Sequence, residues 1–124
     1  MSDDLVQFLR DRYDEEAADA RAAKPGPWHA DGGSVYATHP VDEVVDYTES
    51  ADHIARQDPA RTLRRIEAER LLLKRYDEPE TDPRLPRSLN KLTASVQRQV
   101  LAEVFRVLAL PYAGHPDYRD EWRP

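Results

Sequence analysis

"SLNKLTASVQRQVLAEVFRVLAL" spans Ser88–Leu110, and its apolar spacing decides the fold class. Leu89, Leu92, Val96, Val100, Val104, Val107 and Leu108 recur at helical steps, and Leu101 and Phe105 widen the face. No other stretch of the chain is as periodic. At about 1.5 Å per residue the helix spans roughly 30 Å, which is long for a chain of 124 residues. Either the other helices cover the whole face, or its excess packs on the same helix of a second copy. A homodimer through this third helix is the expectation. Ser88 is the expected N-cap.

Upstream, "DEPETDPRLPR" (77–87) carries three prolines and four acids and reads as an exposed loop. "HIARQDPARTLRRIEAERLLL" (53–73) precedes it. Asp58 suits an N-cap and Pro59 the first helical position, where its missing N–H would be unpaired anyway. Leu63, Ile66 and Leu73 then keep helical spacing over a helix of about 59–76. Arg61, Arg64, Arg65, Lys74 and Arg75 lie mostly outside that stripe, as a basic solvated face. Residues 49–57 fit a short helix capped by Thr48, with a strand as the alternative. Before it, "WHA", a "DGG" turn and "SVYAT" predict a hairpin within 28–47, and "EVVDY" supplies a third strand after the break at Pro40. Trp28, Val35, Val44 and Tyr47 are its expected core contributors.

The chain starts with a helix over 3–23, capped by Ser2 or Asp3, with Leu5, Phe8, Leu9, Tyr13 and Ala17 on one narrow stripe. "KPGP" (24–27) ends it. At the other end, the tail over 111–124 holds Tyr112, Tyr118 and Trp122 among prolines and charges; it either tucks back or meets a partner. The sum is a single α+β domain over 1–124, with three main helices, a small antiparallel hairpin or three-stranded sheet, and one short helix.

The composition excludes several classes of function. There are no cysteines, so disulfides, thiolate zinc sites and a cysteine nucleophile are out. The N-terminus has no apolar segment of a signal peptide, and no run is long enough to cross a membrane. A cytoplasmic protein follows. The net charge of −6 hides a split: residues 1–55 hold 13 acids against 4 bases, and residues 56–108 hold 8 acids against 12 bases. Such a basic middle meets a phosphate backbone in some proteins, but more often it faces the chain's own acids or water.

"HIARQDPARTLRRIEAER" and "LALPYAGHPDYRDEWRP" resemble one family of small proteins of actinobacteria and their phages, a domain of unknown function. "LVQFLRDR" and the "PGPW" ahead of "DGG" match it as well. The resemblance implies no activity. Many members look as if they carry paired cysteines ahead of the last block, which suits a zinc knuckle; this chain has none there.

Candidate chemistry is thin. The four histidines are His29, His39, His53 and His115, and no two stand at the three- or four-residue spacing of a helical metal pair. A metal-assisted hydrolase would need His53, Asp58, His115 and Asp117 to converge. A nucleic-acid-binding regulator would use a helix-turn-helix over 48–76, presenting Arg61, Arg64, Arg65 and Arg75. The favoured expectation is a non-enzymatic protein-interaction or regulatory module with no cofactor. Its expected contacts are Arg61, Arg64 and Arg65 with the tail residues Tyr112, His115, Tyr118 and Trp122.

Overall fold

The structure is a computed structural model. It describes the backbone of residues 2–37 and 42–124, and side chains from Asp3 onward. The side chain of Ser2, together with His39 and the break at Pro40, lies outside the described residues, and Asp3, the other expected cap, already stands inside the first helix. The fold is α+β. In chain order come α1 (Ser2–Ala22), β1 (His29–Asp31), β2 (Ser34–Tyr36), β3 (Glu43–Val45), α2 (Ala51–Arg56), α3 (Pro59–Asp77) and α4 (Arg87–Ala109). Two single 3₁₀ turns follow, Leu110–Tyr112 and Asp120–Trp122. No helix among the described residues is long and apolar enough to cross a membrane.

The chain divides into two compact units, Tyr13–Glu67 and a second made of Met1–Arg12 with Ala68–Pro124. In the unit Tyr13–Glu67, the strands form one antiparallel sheet in the order β1-β2-β3. The β1–β2 hairpin closes on Gly32 (φ 58°) and Gly33 (φ 85°). Both are in the left-handed region that a two-residue hairpin turn with right-handed twist demands, and only glycine enters it freely. Between β2 and β3, Val35 faces Val45 but Tyr36 faces Glu43, so Val44 is the extra residue of a bulge. Val35 is fully buried, with Tyr13, Ala17, Ala37, Ala51 and Ile66 as the unit's other buried apolar residues. Tyr47 is not one of them. It is 74% exposed, with one edge of its ring against Gly33, which has no side chain to keep it away.

Asp58 organises this unit. Its Oδ1 accepts the Ala60 N–H (2.6 Å) at the start of α3, and its Oδ2 accepts the Trp28 N–H (2.6 Å) just before β1. One buried carboxylate thus caps a helix and anchors a strand. Thr48 acts differently from the cap expected of it. Its hydroxyl accepts the Ser50 N–H (3.1 Å), shaping the turn ahead of α2, and the residue at the N-cap position is Ser50.

In the other unit, Leu5, Val6, Phe8, Leu9, Leu73, Phe105, Ala109 and Trp122 are buried. α4 begins at Arg87, with Pro86 at the N-cap position, so the expected Ser88 cap is corrected. The Pro86 carbonyl already accepts the N–H groups of Leu89 and Asn90 (both 3.1 Å), which places Ser88 inside the first turn. At the far end of α3, Arg98 of α4 donates to the Tyr76 carbonyl (3.0 Å), satisfying one of the acceptors that a helix C-terminus leaves open.

The 77–87 segment is laced onto α4 by two side-chain amides. Asn90 Oδ1 accepts the Asp82 N–H and its Nδ2 donates to the Asp82 carbonyl, both at 2.9 Å. Gln97 does the same for Glu80, at 3.3 and 3.2 Å. Asn90 and Gln97 are two turns apart on one side of the helix, so each reads the backbone of the same passing strand of chain. Arg84 in turn hydrogen-bonds the Asp82 carboxylate through its side chain and its own N–H, and this holds the carboxyl below its ordinary value of 3.8.

Candidate interaction surface

The tail residues expected as contacts pack inward. Phe8 on α1 is ringed by Trp122 (centroids 5.0 Å apart), His115 (5.6 Å), Tyr118 (6.0 Å) and Tyr112 (6.2 Å). The steep angles between most of these rings put positive edges on negative faces. Trp122 is buried and the other three are half-buried. The 3₁₀ turn Asp120–Trp122 delivers the indole, and Arg119 ties the turn to Asp4 (3.1 Å). Arg12 is buried beside this cluster, its guanidinium 4.9 Å from the Phe8 centroid. Its Nη1 lies 2.8 Å from Nδ1 and 2.6 Å from Nε2 of His115, and the Asp117 N–H also donates to Nδ1 (3.0 Å).

That geometry bears on the metal reading. A histidine ligand offers a free lone pair, whereas both ring nitrogens of His115 face donors. Asp58 has both oxygens committed to backbone N–H groups. His53 is exposed on α2. Among the described residues, no three His, Asp or Glu come together to hold a metal ion.

The basic face of α3 is exposed at Arg61, Arg64 and Arg65. Arg65 pairs with Glu16 of α1 (2.5 Å), and Arg61 donates to the Arg56 carbonyl (3.2 Å). Two of the three guanidiniums are therefore engaged within their own unit.

α4 carries the largest departure from what a lone chain needs. Leu89 (44% exposed), Leu92 (60%), Val96 (50%), Val100 (57%) and Val107 (56%) all face solvent. At about 3.6 residues per turn they fall within an arc of roughly 80°. Phe105, wholly buried and stacked edge-on to Tyr76 (5.5 Å), points to the opposite side of the same helix. The single broad face read from the sequence is thus two faces. Leu101, Val104, Phe105, Leu108 and Ala109 are covered or half-covered, while the five-residue stripe is open. Leu85 and Leu110, just outside the two ends of α4, are 41% and 40% exposed. Beside the stripe runs an open groove of about 390 Å³ lined by Tyr76, Lys91, Ser95 and Arg98. Its Arg98 is already spent on the end of α3.

A family model described as a family of unknown function matches residues 2–124. The chain belongs to the DUF6221 family. Neither a curated protein nor a solved structure matches it. In this DUF6221 chain the motifs that carried the resemblance have structural work: "DPAR" holds the Asp58 bracket, and "HPDYRDEW" folds the aromatic cluster onto Phe8. The open stripe of α4 lies outside both motifs. The signal that separates it was present only in part: a helix apolar on two opposite sides is built to touch two partners.

Proposed function

We propose that this chain is a small non-enzymatic protein-interaction module that binds through the open stripe of α4. One observation carries the reading: large aliphatic side chains at 40–60% exposure, aligned along the whole helix. Scattered exposed leucines need no explanation, but a continuous row does. Covering these half-exposed residues is worth on the order of 5–10 kcal/mol before the costs of association. The resemblance to actinobacterial and phage proteins supports a cytoplasmic regulatory or accessory role for the complex.

The test is photo-crosslinking in cells that express the protein, with Leu92 or Val100 replaced by p-benzoylphenylalanine. Protein adducts are expected from both positions, and none from the same probe at Arg61 or Arg64. Adducts from the arginine positions alone, to protein or to nucleic acid, would move the function to the basic face of α3. No protein adduct from Leu92 or Val100 overturns the reading.

A further inference from the structure

The stripe is symmetrical about its own middle. From Leu89 the steps run three to Leu92, four to Val96, four to Val100 and three to Glu103. Val107 lies a further four residues out. Reversing the direction of the helix about Val96 therefore lays the stripe on itself. Leu92 then faces Val100, and Val96 faces its own copy. At the pair next to the axis a leucine meets a valine, so large opposes small there, while Leu89 meets Glu103. The pattern also repeats after about 11 residues, the period that keeps a stripe on one side of a nearly straight helix.

We infer that the occupant of the α4 stripe is a second copy of this chain, paired antiparallel about a two-fold axis at Val96. The inference rests on the interaction reading above and names its partner. Charge selects the orientation. Glu103 is the one acid in the stripe. A parallel pair sets Glu103 against Glu103. The antiparallel pair sets it opposite Leu89, in the first turn of the other α4, where the helix dipole is positive. The two helix dipoles also oppose rather than add. The stripe is edged by the uncharged Thr93 and Gln99, so Glu103 is the charge that its closure must accommodate. The area suffices for a modest dimer. Half-exposed aliphatic side chains contribute about 300 Å² per copy. At the usual apolar fraction of an interface that means roughly 1,000 Å² in all for the pair, the lower bound for a specific contact. An interface at that lower bound belongs with the weak, transient contacts.

The chain's lack of cysteine makes the test clean. Val96→Cys, Leu92→Cys and Val100→Cys are made singly in the full chain and oxidised, with circular dichroism as the control for folding. Val96→Cys is expected to link to itself. Leu92→Cys and Val100→Cys are expected to link poorly alone and well when mixed. Efficient self-linking of Leu92→Cys and of Val100→Cys, without gain on mixing, means a parallel pair and overturns the inference. So does the absence of any link, together with a monomer by light scattering at 100 µM or so, a concentration at which even a weak specific dimer is populated. In that case adducts to a different protein at Leu92 and Val100 would leave the interaction reading standing, whereas no adducts at all would remove both.

Discussion

Asp58 shows what one residue does for a unit of this size. Its carboxylate is buried, accepts two backbone N–H groups, and leaves no room for a neighbour's side chain. A Cβ on Gly26 would stand 2.3 Å from both of its oxygens. Gly26 is therefore glycine for want of space. Asp58→Ala orphans the Trp28 and Ala60 N–H groups together, and should cost about 2–4 kcal/mol, more than the loss of a cap alone. Asp58→Asn keeps one acceptor and turns an NH₂ toward the other donor, so it should fall between the two. Gly26→Ala should destabilise by about 1–3 kcal/mol through displacement of the carboxylate. Urea unfolding of the three variants checks the order. If Asp58→Ala unfolds with the wild type, the bracket is not what holds the strand to the helix.

At the scale of elements, the sequence showed most of what is local. The five helical and hairpin segments follow from spacing, from proline and glycine placement, and from Asp58, all of which act within a few residues. The misses need information from farther away. Ser88 reads as a cap because the residue type is right, but the carbonyl of Pro86 had already started the helix. The 77–87 segment reads as a free loop because prolines and acids say so, and nothing in its own residues reports that Asn90 and Gln97 hold its backbone. That lacing predicts slow exchange where loops exchange fast. The N–H groups of Glu80 and Asp82 should be protected in the wild type. Gln97→Ala should release Glu80, Asn90→Ala should release Asp82, and α3 should be unaffected in both. Acid should loosen the same segment. The folded carboxyl of Asp82 titrates below its ordinary 3.8 because of Arg84, so its contribution is present above that value and is lost as pH falls through the lowered one. Equal exchange at Glu80 and Asp82 in the wild type and both variants would show the amides to be idle.

For the molecule as a whole, the candidate site was half legible. Periodicity marked α4 as an apolar helix too long for so small a chain to cover, which is why a dimer is expected from the sequence. It merged the covered and open faces, because spacing reports that residues share a helix side only relative to one another, and which side is covered depends on packing from distant segments. The tail aromatics were legible as anchors, yet their anchor is Phe8 of the same chain. With those rings turned inward and two of the three α3 arginines engaged, the α4 stripe is the surface with the most to gain from a partner. If that partner is a second copy, folding and association are linked, and stability must depend on protein concentration. Raising the concentration from near the dissociation constant to about 100-fold above it should raise Tm by roughly 5–10 °C. Val96→Asp places two carboxylates at the two-fold axis, so its Tm should not move with concentration while its low-concentration Tm stays near that of the wild type. A wild-type Tm that is flat over the same range would place the stripe's partner outside the chain.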